Sequence, residues 1–363
     1  MIDGLQLLLR VLKVLDRLRL MTGLVGHYSE PTGEVFSHSL DDEVFHVELH
    51  EGKDPSATIR GSLHRFWAGG RNDTLFTFDE VRKAVEHFAW RFGLDLRTPC
   101  LKRVEYGVNI PAKCPEAIID AAVLYNGRAP YESVRDKKHY YKVWKFSDYA
   151  IKLYRKGASI VRFEVHIYRL RWLKMARIQC LEDLRRKEVF VILLNHLISL
   201  ADYFLFVPTR NDYLPGEIRE RWVLMRDASN WLCLKPYEKT RQKHWVQSTI
   251  QQYELVDWTA YLKTNILRIG AQMLGVDEPT LCAMFSRLGL IEETVAGPLG
   301  NCDRLAGNDQ DVLTSSFLSS VSLNHTVANG GLRDTHEVVR VYSDVHGGRG
   351  PPGKDNTFII TNI

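Results

Sequence analysis

Residues 160–169 read "IVRFEVHIYR". As an extended strand they put Val161, Phe163, Val165 and Ile167 on one face and Arg162, Glu164, His166 and Tyr168 on the other, because successive side chains of a strand alternate. Two other stretches repeat the layout. Residues 101–110, "LKRVEYGVNI", set Arg103, Glu105 and Asn109 against Val104, Tyr106, Val108 and Ile110, and residues 149–156 set Lys152, Tyr154 and Lys156 against Ile151 and Leu153. If the three share a sheet, their polar faces pool Glu105, Glu164 and His166 with Tyr154, Lys152 and Lys156. Two carboxylates and an imidazole suit Mg²⁺ or Mn²⁺, and lysines beside a tyrosine favour its phenolate. That inventory would serve phosphodiester cleavage, with a polarised phosphate, an attacking phenolate and a departing 3′-hydroxyl. Taken singly, each strand is also an ordinary amphipathic strand with Arg–Glu pairs at its surface. The three together, inside a basic segment, favour a site.

These strands need elements to hold them. "VFHVELH" at 44–50 and "ATIRGSLHRFW" at 57–67 read as a hairpin around "EGKDPS". Thr77 and Glu80 form a capping-box signature ahead of Val81, Ala84, Val85, Phe88 and Phe92 at helical spacing. A helix is also expected around "PEAIIDAAVLY", and two strands in "YYKVWKFSDYAIKLYRKG". Strands, helix, strand, helix, strands with hairpin-like links predict an α+β domain around a mostly antiparallel central sheet with flanking helices. From about 176 to 300 the pattern is helical, with possible contact to DNA. From 301 to 363 Ser, Gly, Asn and Asp dominate and a disordered tail is expected. Its "GRGPPGKD" has the Gly and Lys spacing of a phosphate loop but lacks the final Ser/Thr and flanking strand and helix.

The six cysteines are scattered without a C-x-x-C pair, so neither a zinc module nor a disulfide framework is expected and a reducing compartment, the cytoplasm, fits. The apolar run at 189–207 is interrupted by Asn195, His196 and Asp202, which points to a buried helix and away from a membrane span. Net charge is +4, yet residues 135–188 hold 16 Lys plus Arg against 6 Asp plus Glu, a balance of +10. Interleaved with Tyr140, Tyr141, Trp144, Tyr149 and Tyr154, such a segment suits a phosphate backbone with stackable bases. Arg103, Arg155, Arg162, Lys142 and Lys145 are the expected DNA contacts. A lesser metal candidate is "HVELH", whose His46, Glu48 and His50 share a strand face.

The order "MIDGLQLLL", "IRGSLHRFW", "RVEYGVN", "YAIKLYRKG" and "IVRFEVHIYRLRWLK" resembles the replication initiators of filamentous bacteriophages, the gene II protein family, and their phage and plasmid relatives. The resemblance covers about residues 1–175. It implies a nicking-endonuclease-like catalytic domain that cuts one strand at an origin, stays linked to the 5′ phosphate through a tyrosine and leaves a 3′-hydroxyl primer. The family's nucleophile carries over to Tyr154 with Lys156, its "R-acid" strand to Arg103 and Glu105, and the acid of "RFE" to Glu164. None of the 13 histidines forms a His-x-His pair, so metal binding would rest on the acids with His64 or His166. Tyr140 and Tyr141 are alternative nucleophiles. The implied partners are single-stranded or origin duplex DNA and a bacterial host's replication helicase and polymerase. A relaxase or transposase would share the chemistry, and a non-catalytic origin or single-strand binder would share the fold.

Overall fold

The computed structural model describes residues 1–28, 35–42, 44–212 and 214–290. The expected tail, with its "GRGPPGKD", lies outside them. In chain order the elements are β1 (Ile2–Leu9), α1 (Leu12–Arg19), β2 (Val25–Tyr28), β3 (Val35–Asp42), β4 (Phe45–His50), β5 (Ser56–Ser62), α2 (Leu63–Trp67), α3 (Phe78–Phe92), β6 (Leu101–Pro111), α4 (Pro115–Ala121), β7 (Ala122–Tyr125), β8 (Glu132–Arg135), β9 (Tyr140–Lys145), β10 (Tyr149–Gly157) and β11 (Ile160–Ile167). Then come α5 (Lys187–Ala201), β12 (Phe204–Phe206), α6 (Gly216–Met225), α7 (Ala228–Leu232), α8 (Pro236–Gln252), α9 (Trp258–Leu274) and α10 (Glu278–Arg287).

Ten strands form one sheet in the order β2-β3-β4-β5-β1-β6-β11-β10-β9-β8, and every neighbouring pair is antiparallel. Its centre is β1, a strand whose alternating Ile2, Leu5, Leu7 and Leu9 are all buried. The apolar faces of β6, β10 and β11 are buried as their alternation requires: Val104, Tyr106, Val108, Ile151, Leu153, Val161, Phe163 and Val165 are each inaccessible to solvent. Helices cover this face, α9 against β6 and α4 against β10 and β11. The rings of Phe45 on β4 and Phe88 on α3 lie 4.9 Å apart.

Thr77 and Glu80 close a capping box on α3, and Gly93 ends it in the left-handed conformation (φ +64°) that glycine adopts without a Cβ penalty. The strand expected across 57–67 stops at Ser62. The Ser62 hydroxyl accepts from the Arg65 N–H and caps α2, so His64 lies on a helical turn.

The hydrophobic core runs on past residue 175, through Leu193, Leu197, Leu262 and Ile266 of α5 and α9. A smaller cluster of Val123, Leu205, Trp222, Trp231 and Val246 organises α6–α8 against the β7–β12 pair. The apolar run at 189–207 is α5 and β12, and among the described residues no helix is long and apolar enough to cross a membrane.

Candidate functional site

Helices cover one face of the sheet, and the other carries an open trough of about 590 Å³ lined from β10 to β3 by residues that include Tyr154, Lys152, Glu164, His166, Glu105, Arg103, Gln6, Arg60 and His46. Register explains the gathering. His166 pairs with Glu105 on one side and Ala150 on the other, Glu164 with Gly107 and Lys152, and Arg162 with Asn109 and Tyr154. Cross-strand partners point to the same face, so the three polar rows become one patch.

At its centre His166 sits between two carboxylates, Nδ1 at 2.9 Å from Glu105 Oε1 and Nε2 at 2.5 Å from Glu164 Oε1. Burial opposes a charged imidazole here, but the hydrogen bonds to Glu105 and Glu164 outweigh it and raise the His166 pKa to about 9. Glu164 is itself buried. Burial works against its charge, and the Arg162 guanidinium, with the His166 hydrogen bond, more than reverses that and holds its carboxyl well below the usual range. The second Glu164 oxygen accepts from Arg162 Nε at 2.5 Å and from the Tyr154 hydroxyl at 3.1 Å.

Glu105, Glu164 and His166 could hold a metal ion, because one ligand atom from each lies within 4.8 Å of the others. Two carboxylates and an imidazole are a donor set that hard divalent cations accept. Entry of a cation would require His166 to give up the proton on one of its ring nitrogens, so loading would release a proton and weaken as pH falls. His64 does not belong to this group. Its ring is stacked on Phe76 at 4.4 Å, its Nε2 lies 3.1 Å from Thr74 Oγ1, and burial lowers its pKa to about 4. "HVELH" forms no such group either: His46 pairs with Asp41 at 2.7 Å, and His50 stands 3.8 Å from Glu48.

Tyr154 lies where the strand reading put it, but its electrostatics are the reverse of the expectation. Burial comes first and the adjacent Glu164 second, and together they push the phenol pKa well above its ordinary value of 10. The two lysines do not override them. The Lys152 side chain has no hydrogen-bond or ion partner among the described residues. Lys156, on a bulge opposite β11, is 5.9 Å from the Tyr154 ring, and burial followed by Arg162 lowers its pKa to about 8. The other tyrosines of the basic segment are engaged elsewhere. Tyr140 donates to Asp120 beneath the sheet, and Tyr141, on the open face, donates to Glu132 near the sheet edge.

Three expected DNA contacts are committed to other work. Lys142 is buried on the covered face and donates to the backbone oxygens of Asp120 and Ala122, satisfying carbonyls at the end of α4. Arg155 follows Ile151 and Leu153 onto the covered side and pairs with Glu116 at 2.6 Å. Arg162 is on the open face but only 3% exposed, locked to Glu164, Asn109 and Asp3. Arg103 and Lys145 do reach solvent, over the rings of Tyr168 and Tyr131.

Asp3 was not singled out by sequence reasoning, nor were Ser62, Asn72, Gln6, Arg60 and Arg65. The signal for Asp3 was an acid inside the apolar run "MIDGLQLLL", since a buried carboxylate needs partners. Strict alternation would send it into the core with Leu5. A β-bulge prevents that: Ile2 pairs with Tyr106 and Leu5 with Val104, leaving Asp3 and Gly4 both opposite Glu105. Gly4 leaves room there for the Glu105 side chain, which a Cβ at this position would displace. No protein-family model, curated protein or solved structure matches the chain.

Proposed function

We propose that this chain is a rolling-circle replication initiator, a metal-dependent enzyme that nicks one DNA strand through Tyr154 and remains joined to its 5′ phosphate. The observation that carries the reading is the Tyr154 hydroxyl 3.1 Å from Glu164, itself part of a group able to bind a cation, on an open sheet face. The reading also agrees with the sequence resemblance to the gene II protein family, from which the roles of Tyr154 and Glu164 are carried over.

In this reading Glu105, Glu164 and His166 would hold Mg²⁺ or Mn²⁺, which when bound would supply positive charge to offset that of the phosphate. Tyr154 Oη forms the bond to phosphorus as its proton passes to the neutral Lys156 amine, the P–O3′ bond breaks, and the 3′ oxygen takes a proton from solvent and leaves as a hydroxyl. Glu164 holds the phenol proton through its hydrogen bond and aims the oxygen. Lys156 lies next to the ring as the nearest group able to exchange a proton around neutral pH. Flanking nucleotides follow Lys152, Arg103, Gln6, Arg60 and Arg65 along the trough, in place of the buried Arg162, Lys142 and Arg155.

A second reading has its own support. A Glu105–His166–Glu164 network closed on itself, with Tyr154 held as a phenol, also fits a DNA-binding protein without catalysis. The deciding experiment uses labelled single-stranded oligonucleotides tiling the replicon that encodes the protein, with Mn²⁺. An adduct resistant to denaturant, lost in Tyr154→Phe and kept in Tyr140→Phe and Tyr141→Phe, supports the nicking enzyme. Binding without any adduct supports the binder, and an adduct retained by Tyr154→Phe removes Tyr154 as nucleophile.

A further inference from the structure

A buried arginine between two acids lies directly behind the metal-binding group, and the reaction as described leaves it without a task. Arg162 directs its guanidinium three ways: Nε to Glu164 Oε2 at 2.5 Å, NH1 to Asn109 Oδ1 at 2.9 Å and NH2 to Asp3 Oδ2 at 2.8 Å. Asp3 is held in turn by the Ser62 hydroxyl and by Asn72 Nδ2 at 3.1 Å. Arg162 and Asp3 are 3% and 5% exposed, so neither can meet a DNA backbone.

We infer that Asp3 and Arg162 are positioning residues, a buried clamp that turns Glu164 so that one oxygen faces Glu105 and His166 while the other faces Tyr154. The two Glu164 oxygens do have different neighbours. Oε1 is against His166, and Oε2 takes both Arg162 and Tyr154. A carboxylate rotating freely would offer either oxygen to either side. Arg162 gives Glu164 a single N–H, and because its guanidinium is held by Asn109 and Asp3 as well, that donor reaches Oε2 from one fixed direction, which a lysine's rotating ammonium would not provide. Asp3 keeps the fork from collapsing onto Glu164 alone by drawing NH2 the other way. The bulge at Asp3–Gly4 makes this possible by bringing an acid onto the open face of an apolar strand.

The inference rests on the proposed nicking site, and the test separates the two. Mn²⁺ binding is followed by electron paramagnetic resonance and adduct formation at saturating DNA by gel, for wild type, Asp3→Asn, Arg162→Lys and Asn72→Ala. Melting curves confirm folding, and the milder Asn72→Ala keeps the test open if Arg162→Lys does not fold. Partners behind metal ligands typically account for about 10–100-fold. Accordingly, Asp3→Asn and Arg162→Lys should weaken Mn²⁺ binding about 10-fold or more and slow the reaction at saturating DNA about 100-fold, with DNA affinity unchanged. Asn72→Ala should have a smaller effect in the same direction. Variants within twofold of wild type in both assays would overturn the clamp. So would a loss of DNA affinity with an unchanged saturated rate, which would make Arg162 a DNA contact, or a wild-type protein that takes up no Mn²⁺. If Mn²⁺ binding weakens as expected but the wild type forms no adduct, the clamp stands and the nicking enzyme falls.

Discussion

Charge is handled differently at the two ends of the trough. On β6 and β11, joined by Asp3 from the start of β1, the ionisable groups close on one another: Glu105–His166–Glu164–Arg162–Asp3 is a continuous chain of contacts no longer than 2.9 Å, mostly out of solvent. The side chains of Gln6 on β1 and Arg60 on β5 have no hydrogen-bond or ion partner among the described residues, and Arg60 is exposed. Buried charges must be paired, and pairing makes them rigid and sets their protonation, whereas an unpaired exposed cation keeps its donors for a ligand. The closed part presents fixed, mutually paired groups, and the open part presents a cation whose donors are uncommitted.

The two regions should differ most in what they contribute to stability. Arg162→Met leaves Asp3 and Glu164 buried without their cation and should cost roughly 3–5 kcal/mol in urea unfolding. Arg60→Met should change stability by less than about 0.5 kcal/mol. Equal losses would mean that the two ends are not different in kind.

A pH profile sharpens it further. His166 has a folded pKa of about 9, against its ordinary 6.5. Its stabilising contribution is therefore present in full below about pH 6.5 and fades as pH rises through about 9. In chelator, unfolding free energy should fall by on the order of 2–3 kcal/mol across that window, and His166→Gln should flatten the slope. A wild-type profile as flat as the variant's would show that the imidazole is not held charged between its carboxylates.

The smallest effect lies at the open end. Arg60→Ala should leave the adduct rate at saturating DNA alone and lower the salt dependence of single-strand binding by about one unit of log–log slope. An unchanged slope would remove Arg60 from the DNA path.

Much of the frame was legible before any coordinates. The α3 capping box, the antiparallel bias of the hairpin-linked strands and the two-sided character of β6, β10 and β11 follow from local spacing, which a pleated strand or a helix turn converts directly into direction. Arg155 was legible too, since counting in twos from Ile151 and Leu153 places it on the covered face. Lys142 was harder. Its neighbours Tyr140 and Trp144 are ambivalent residues, and only the packing of α4 beneath β9 turns its ammonium toward backbone carbonyls. The phenol of Tyr154 was misjudged for a related reason: counting lysines along one strand ignores burial and the carboxylate on the next strand, and both outweigh them.

By itself the sequence determined which residues of each strand face together, because alternation is a property of the backbone. Tertiary structure decided what that face does. Sheet order put β6, β11 and β10 side by side, so that Glu105 and Glu164, 59 positions apart in the chain, share one imidazole. The bulge in β1 turned Asp3 out of the core and under Arg162, against its own alternation. Depth then separated the arginines: Arg162 and Arg103 lie on the same face, yet one is enclosed by acids and the other meets solvent. Pairing, burial and protonation depend on neighbours from distant parts of the chain, and no local pattern encodes them.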